Sequence, residues 1–318
     1  MDNQKRLEDW VLNLTQSLDF KIERMSWIKD WFPEYFDIRT TVHIEGKDFV
    51  GRGIAKDEGT AFNKSLSELV ERFICFHHKI ESNGVAAHYD LEKAQKNAEK
   101  ELIERDAILC HHLTERPFIL TDYPTRFSEL KERLLNLGMD FKLGEALSPH
   151  SDYEVVFCQI SGREKFGAFW GFGCDFEKEE AFDHAVFEAM INASAYIYGL
   201  DERESISLNE FKELSRVRGY HHQNVHFSED LRKLKMESMS DLYFSKITND
   251  DIKLNELEKL GTPFGSSPLY VVQAKSSRLQ NIFYGLPDKE KINFERLIHF
   301  YGENLELSDL SKVPHPIG

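Results

Sequence analysis

The hydrophobic pattern of the chain alternates between segments with helical spacing and segments of extended character. Apolar residues recur every three or four positions over residues 1–25, which predicts an amphipathic helix. The same spacing predicts helices at about 60–80, 91–112, 127–137, 177–198 and 294–301. Residues 201–262 are rich in charge and are predicted to be mostly helical, with a break at 216–226.

Segments rich in β-branched and aromatic residues lie between these helices and predict strands. Residues 36–43 and 47–55 are expected to form a hairpin that turns near Glu45 and Gly46. Further strands are expected at 117–121, 141–146, 153–161, 166–174 and 267–276. No low-complexity linker interrupts the chain, so no sharp domain boundary is visible.

An aromatic cluster follows the first predicted helix: Trp27, Trp31, Phe32, Tyr35 and Phe36. Such a cluster could close over the core or present a surface that binds a peptide. Aromatic side chains bury large areas, which favours the core.

The composition narrows the functional classes. Of the 318 residues 41% are hydrophobic, and the formal net charge of −15 argues against binding to nucleic acid or to an anionic membrane surface. The first residues lack an apolar signal segment, and no uncharged apolar run is long enough to span a bilayer. The chain is therefore expected to be cytoplasmic.

Cysteine and histidine positions give no metal motif. The cysteines form no CxxC pair and are expected to be buried, reduced thiols: Cys75, Cys110, Cys158 and Cys174. The sequences ELVER and ELIER form a short echo that predicts a duplicated strand–helix unit, and a histidine pair follows each copy. Adjacent helical residues point about 100° apart, which disfavours zinc binding and favours exposed histidines at helix ends: His77, His78, His111 and His112.

The most informative stretch covers residues 51–72, GRGIAKDEGTAFNKSLSELVER. Two glycines around an arginine lead into a helix with four polar residues on one side: Ser65, Glu68, Glu71 and Arg72. Two carboxylates one turn apart repel each other unless a cation or water screens them. The helix therefore either presents a solvated face with a Glu68–Arg72 ion pair or forms the wall of a magnesium site.

A second polar row lies on the predicted helix 177–198. Its members are Glu180, His184, Glu188 and Asn192. Residues four apart lie nearly in line on a helix, and alanines that allow close packing occupy the neighbouring face. A polar row beside an alanine-rich face favours a functional role.

Three stretches in this order resemble the YcaO family. They are SxxExxER at 65–72, SNGVAAH at 82–88 followed by an ELIERD helix, and GFGCDFEKEEAFDHAVFEAMIN at 171–192. The second is similar to the family's SNGxAxG turn, and the third to its helix with ExxxQ. The resemblance, over about residues 49–192, implies an α+β fold of mixed sheets packed with helices that carry the nucleotide site. A helical segment over 1–35 and a catalytic domain over 36–318 are expected.

Members of that family use ATP and magnesium to phosphorylate a peptide-bond oxygen, after which a nucleophile adds to the activated amide. The magnesium ligands that the resemblance implies are Glu68, Glu71, Glu180 and Glu188. The further nucleotide contacts that it implies are Ser65, Arg72 and Asn192. Lys56 is a further candidate for a phosphate contact. Phosphoryl transfer needs charge neutralised on the phosphate oxygens, which carboxylate-bound metal ions supply. No GxxxxGK[ST] motif is present, so the chain is not a P-loop enzyme.

The chain ends in Val-Pro-His-Pro-Ile-Gly. This end is similar to the proline-rich terminus of azoline-forming members, which reaches the active site, although it is one proline short. The resemblance implies that the carboxylate of Gly318 or the imidazole of His315 acts as a general base. The alternative is a frayed polar end, which is common at chain termini.

Together these features imply an ATP-dependent cyclodehydratase that converts Cys, Ser or Thr of a ribosomally made precursor peptide to azolines. A protein that binds the leader peptide is an expected partner, within a homo- or hetero-oligomer. Thioamide formation and an accessory role in the modification of a ribosomal protein are alternatives within the family.

Two departures from the family pattern favour a different interpretation. Asn192 stands where ExxxQ has glutamine, and no RxxxE follows residue 200, since Ile282 occupies the glutamate position after Arg278. The missing carboxylate could mean one metal fewer, a shifted ligand or a chain that no longer turns over ATP. The rival hypothesis is a non-catalytic docking subunit of a peptide-modifying complex.

Overall fold

The computed structural model describes residues 3–122, 124–162, 167–199, 205–226, 236–237, 247–259 and 262–317. The chain divides into two compact units. Unit 1 comprises Met1–Glu101 and Ile252–Lys275, and unit 2 comprises Leu102–Asp251 and Ser276–Gly318. The predicted boundary at residue 35 stays a prediction. In the described residues, no helix has the length and apolar character needed to cross a membrane.

Unit 1 opens with a helix and an antiparallel sheet of three strands. Helix α1 spans Asn3–Ser17, and the sheet has the order β1 (Asp19–Arg24), β2 (Phe36–Ile44), β3 (Lys47–Ala55). Helix α2 (Glu58–His78) follows, and Asp57 caps its start by accepting the N–H of Thr60. Apolar side chains from α1, α2 and the sheet form one core, which includes Leu7, Trp10, Val42, Leu69 and Phe73.

A second antiparallel sheet of unit 1 joins segments that are distant in sequence. Its order is β10 (Lys253–Glu256), β11 (Tyr270–Lys275), β4 (Val85–His88). Helix α3 (Leu91–Leu113) follows β4 as α2 follows β3, and the duplication of this strand–helix unit stays a prediction.

Unit 2 contains a five-stranded sheet with the order β8-β7-β6-β5-β9. The strands are β5 (Phe118–Leu120), β6 (Met139–Ala146), β7 (Glu154–Gly162), β8 (Ala168–Asp175) and β9 (Met236–Glu237). The pairs are antiparallel except β5 with β9, which is parallel. The helices are α4 (Ser128–Asn136), α5 (Lys178–Ile197), α6 (Leu208–Glu213), α7 (Gly219–Val225) and α8 (Phe294–Tyr301). Helix α5 packs on β7 and β8.

Close packing between a strand and the following helix recurs in the two units. A Cβ on Gly51 of β3 would lie 1.9 Å from the carbonyl oxygen of Ser65, and a Cβ on Gly171 of β8 would lie 2.0 Å from that of Ala185. Only glycine permits this approach of strand to helix backbone. The glycines of the GRG and GFG sequences are therefore required for the packing of strand on helix.

Several predicted segments differ from the structure. The helix expected over 1–25 ends at Ser17, and its second half is strand β1, in which Phe20 lies opposite Val42 of β2. Pairing with β2 decides this short segment, whose apolar residues suit either structure. The break expected at 216–226 contains α7, whose first turn is capped by the His221 side chain as it accepts the N–H of Arg218.

The helical prediction for 201–262 is also wrong at residues 253–256. This segment is strand β10, because it pairs with β11 along its whole length. The parts of the prediction that cover 201–204, 227–235, 238–246 and 260–261 lie outside the described residues.

The aromatic cluster is part core and part surface. Trp31 is buried, whereas Phe36 is 40% exposed. Trp27 is half-buried, and the guanidinium carbon of Arg52 lies 4.5 Å from its ring centroid.

The cysteine prediction is confirmed, whereas the histidine prediction holds for one pair. All four cysteines are buried thiols. His77 and His78 are exposed at the end of α2, but His111 and His112 are buried. His111 accepts the N–H of Leu147 (2.9 Å) at Nε2 and donates to the Arg116 carbonyl (3.1 Å) from Nδ1. The prediction for the second pair is wrong because these long-range partners draw the rings into the core.

We expect Gly171→Ala to lower the free energy of unfolding by about 2 kcal/mol or more, because the added methyl overpacks the contact with α5. Gly59→Ala is the matched control, since its Cβ would meet Asp57 Oδ1 at an ordinary 3.5 Å. Urea denaturation measures both. An unchanged midpoint for Gly171→Ala would contradict the packing account.

Burial lowers the pKa of His111 from 6.5 to about 4. The unfolded chain therefore binds a proton that the folded chain does not as pH falls below 6.5, so stability falls by up to about 1.4 kcal/mol per pH unit for this residue. We expect His111→Phe to be less stable at pH 7.5 but to show a shallower loss between pH 6.5 and 5. Urea denaturation across pH measures the slope, and a slope equal to that of the wild type would refute the assignment.

Candidate functional site

Glu68 is held by the backbone of the strand that precedes its helix. Its Oε2 accepts the N–H of Arg52 (2.5 Å), the residue between the two glycines of β3. Its Oε1 accepts from Arg72 Nη2 (2.6 Å), which is the ion pair that the spacing along α2 predicts. The Arg52 side chain binds the buried Asp37 (2.8 and 2.6 Å). A carboxylate with two fixed donors has little rotamer freedom.

Glu71 is held in the same way by a different strand. Its Oε1 accepts the N–H of Ala87 in β4 (2.6 Å), and Glu101 of α3 accepts the N–H of Val85 in the same strand (2.7 Å). Burial raises the pKa of Glu71 well above its usual value, and the nearby charges of Glu101 and Glu68 raise it further. The ionised form of Glu71 is therefore costly until a cation approaches.

A cleft of about 330 Å³ opens beside these two carboxylates within unit 1. Its lining combines negative, positive and aromatic side chains, among them Glu68, Glu71, Lys64, Lys93, His88 and Tyr89. His88 and Tyr89 stack at 4.2 Å between ring centroids. Two lysines near two carboxylates suit a ligand that carries both phosphate and metal.

A magnesium ion that arrives with phosphate fits this donor set. Mg²⁺ prefers oxygen ligands, keeps several waters and uses one or two carboxylates together with phosphate oxygens. Among the described residues, no group of three or more His, Cys, Asp or Glu side chains is arranged to hold a metal alone. Glu68 and Glu71 would hold such an ion, and it would relieve the like-charge repulsion at Glu71.

Unit 2 repeats the arrangement around Glu188. Its Oε2 accepts the N–H of Phe172 (2.7 Å), the residue between Gly171 and Gly173, just as Glu68 does in unit 1. The Asn192 amide donates to the Glu188 carbonyl (3.2 Å), one turn away on α5. Glu180 is exposed in the first turn of the same helix. The expected convergence of these residues with Glu68 and Glu71 on one nucleotide stays a prediction.

The other predicted site residues are dispersed. Ser65 is buried, donates to the Gly51 carbonyl (2.9 Å) and shares a hydrogen bond with the Thr40 hydroxyl (2.9 Å), so it ties α2 to the sheet. Lys56 is exposed, with its ammonium 5.6 Å from the Tyr35 ring centroid. The phosphate contacts predicted for Ser65, Lys56 and Arg72 stay predictions.

The two predicted general bases lie at the chain end. His315 is buried, its Nε2 donates to the Phe283 carbonyl (2.5 Å), and burial lowers its pKa well below the usual value. These contacts suit an anchor within unit 2, and a role of His315 as general base stays a prediction. Gly318 lies outside the described residues.

Sequence reasoning missed several residues of this site, among them Glu101, His88, Lys64 and Lys93. Glu101 was marked only by the echo ELIER, whose glutamate matches Glu68 of ELVER. His88 ends the stretch SNGVAAH, whose last four residues form strand β4, at the position where the family pattern has glycine. Lys64 and Lys93 give no local signal. His88 accepts the N–H of Asp90 at Nδ1 (2.9 Å), which leaves its Nε2 hydrogen as a donor.

Residues 71–261, more than half of the 318-residue chain, match the family model described as YcaO cyclodehydratase, ATP- and Mg2+-binding. The chain belongs to the YcaO family. The resemblance carried by the three sequence stretches is thus confirmed, and ATP and Mg²⁺ are the cofactors of this YcaO chain. Among curated protein sequences, none matches it.

Three solved structures share the fold of this YcaO chain. The YcaO from Methanopyrus kandleri bound with AMPPCP and Mg2+ is 12% identical, with a TM-score of 0.60 over 92% of this chain and 96% of that one. A heterocyclase in complex with substrate and cofactor is 12% identical, with a TM-score of 0.68 over 100% of this chain and 57% of that one. A chain of the E. coli microcin synthetase McbBCD complex is 12% identical, with a TM-score of 0.53 over 88% and 93%. The predicted α+β fold of YcaO type is confirmed.

Glu71→Gln keeps an acceptor for the Ala87 N–H but removes the charge. Because the pKa of Glu71 is raised, its ionised form costs stability as pH rises above the usual range for glutamate, so the variant without ligand should melt at the same temperature as the wild type or higher at pH 8. It should lose most of the rise in Tm that ATP with Mg²⁺ gives the wild type.

Glu92→Gln, at an exposed glutamate of α3, is the control and should keep that rise. Thermal unfolding with and without ATP and Mg²⁺ measures all three chains. A sharp fall in the ligand-free Tm of Glu71→Gln would show that the carboxylate is structural, and a retained ligand response would remove it from the magnesium site.

Proposed function

We propose that this YcaO chain uses ATP and Mg²⁺ to cyclodehydrate Cys, Ser or Thr residues of a ribosomally made precursor peptide to azolines. The observation that carries the proposal is the cleft of unit 1, where backbone-held Glu68 and Glu71 lie beside Lys64 and Lys93 in a family described as ATP- and Mg2+-binding. One structural neighbour is a heterocyclase in complex with substrate and cofactor, which supports this reaction class.

In the proposed reaction the residues of the chain bind and orient. Glu68 and Glu71 would hold magnesium, and Lys64 and Lys93 would bind phosphate oxygens of ATP. Bound magnesium neutralises charge on the oxygens of the group in transfer. The carboxylates need no reorganisation at that moment, because strand N–H groups already fix them.

The bond changes define the products of the proposed reaction. The thiol or hydroxyl of the peptide attacks the preceding carbonyl carbon and loses its proton to a base, for which Gly318 and His315 are the candidates. The amide oxygen takes the γ-phosphoryl group of ATP and then leaves as phosphate, while the ring nitrogen loses its hydrogen. One azoline, one ADP and one phosphate result for each ATP. Water adds no atom to the product.

The remaining predicted contacts belong to the same proposal. Glu180 and Glu188 would bind magnesium, and Ser65, Arg72, Asn192 and Lys56 would contact or orient the nucleotide. The substrate would be a peptide presented by a leader-binding partner protein. The E. coli neighbour is a chain of a synthetase complex, McbBCD, which supports a multi-subunit assembly.

The missing RxxxE favours a second candidate, a non-catalytic docking subunit that keeps the fold without turnover. Isothermal titration with ATP and Mg²⁺ separates the two functions. Absence of binding at millimolar nucleotide would favour the docking subunit over the enzyme.

The direct test combines the chain with a short Cys- and Ser-rich precursor peptide and a leader-binding protein, for which the neighbouring genes are the place to search. We expect ATP-dependent loss of one water per ring in the mass spectrum, with a heavy-oxygen label in the peptide amide recovered in phosphate. Glu68→Gln should abolish both signals, because the metal loses a ligand. Exchange of sulfur for the amide oxygen would instead indicate thioamide formation. Rings without transfer of the label would contradict activation by phosphorylation.

A further inference from the structure

The last described residues of the chain are buried within unit 2. Pro314, His315, Pro316 and Ile317 are all buried, so the alternative of a frayed polar end does not hold for them. Just before them in the chain, the N–H of Ser311 donates to the Leu113 carbonyl at the end of α3 (2.9 Å). Buried backbone needs partners for its carbonyl groups. These partners are histidines.

Two histidines from different helices hold neighbouring carbonyls of the tail. His112 of α3 donates from Nε2 to the Val313 carbonyl (2.8 Å), and His226, just after α7, donates from Nε2 to the Pro314 carbonyl (2.7 Å). Both imidazoles are buried. Proline has no N–H, so the carbonyl is the hydrogen-bonding group that Pro314 offers to a partner.

A third histidine holds the next carbonyl and has a defined tautomer. His222 of α7 donates from Nδ1 to the His315 carbonyl (3.1 Å) and accepts the N–H of Gly285 at Nε2 (2.9 Å). The His315 ring lies 4.1 Å from that of His222 and donates from Nε2 to the Phe283 carbonyl (2.5 Å). Three consecutive tail carbonyls thus each receive one histidine N–H.

His112 and His222 are uncharged at neutral pH, as is His315 beside them. Burial lowers the pKa of His222 to about 3 and lowers the pKa of His112 and His315 as well. Each ring can therefore donate one N–H without placing a charge in the interior. Proline at two tail positions also restricts the backbone that these histidines hold.

We propose that His112, His222 and His226 form a clamp that positions the C-terminal tail, Val313–Ile317, for the reaction. The positioning part rests on the proposed function, in which the chain end supplies a general base. The histidines touch the tail backbone and act through it, so they are positioning residues. In the sequence, His112 belongs to a histidine pair, and His222 and His226 lie in the stretch RVRGYHHQNVH. The fold brings both segments to the tail.

The clamp is tested by the accessibility of the tail. Ile317→Cys places a thiol on a side chain that is 7% exposed, and the four native cysteines are buried. In this background His226→Leu and His112→Leu remove the donor, whereas His226→Gln and His112→Gln keep an N–H at a similar reach. His299→Leu, at an exposed histidine of α8, is the control.

We expect the leucine variants to react with iodoacetamide at pH 7.5 at least about tenfold faster than the Ile317→Cys parent, through local release of the tail. The glutamine variants and His299→Leu should react at the parental rate. Equal rates in the leucine variants and the parent would overturn the clamp. Far-UV circular dichroism identifies any variant that has lost its fold. In that case the leucine and glutamine variants of the other histidine decide the test.

Ring formation by variants without Ile317→Cys tests the positioning role. We expect His226→Leu to lower kcat about a hundredfold with little change in the KM of the peptide, and His226→Gln to recover most of the loss. Faster labelling with an unchanged kcat would overturn the positioning role and leave a purely structural clamp. Absence of ring formation by the intact chain would overturn the proposed function alone, since the labelling still decides whether the clamp exists.

Discussion

A hydrogen bond from strand backbone to a helix glutamate is the constraint on which the rest of this structure depends. The N–H of Arg52 binds Glu68, and the N–H of Phe172 binds Glu188. Each donor lies between two glycines whose missing Cβ lets the helix backbone come close. The donor cannot change rotamer, so the carboxylate is preorganised by the fold itself. The same glycines therefore determine both how the strand packs on the helix and where the carboxylate lies.

This arrangement gathers negative charge at a cost in stability. Glu71 lies near Glu68 and Glu101, and burial together with these charges raises its pKa. An isolated domain would be more stable with a neutral side chain there. A divalent cation reverses the sign of the interaction, because it converts mutual repulsion into shared attraction. In the proposed site, a bound metal ion would therefore offset the cost of the Glu71 charge.

Local sequence signals predicted much of the fold. The hairpin of β2 and β3, helix α8 and the helix with Glu68 and Glu71 all follow from spacing and turn residues, which act over a few positions. Strand β1 and helix α7 were missed because pairing with β2 and burial of His222 decide them. Contacts between segments that are distant in sequence produce no periodic pattern of apolar residues.

The site was predictable only in part for the same reason. Helical spacing put Glu68 and Glu71 on one face, and the family resemblance supplied their role. The contacts of Glu71 with β4 and of His112 with the tail join residues far apart in sequence, so neither could be read from local pattern. Ser65 shows the converse, since a residue of the family motif ties α2 to β3 through its hydroxyl.

The central claim is that backbone-held carboxylates of unit 1 bind the metal of a magnesium nucleotide. Crystals grown with AMPPCP and Mn²⁺ in place of Mg²⁺ test it most directly, because manganese gives an anomalous signal and accepts similar oxygen ligands. The account predicts an anomalous peak within coordination distance of Glu68 or Glu71, next to phosphate density in the cleft. Nucleotide density elsewhere, with both carboxylates bound only to their strand N–H groups, would contradict it.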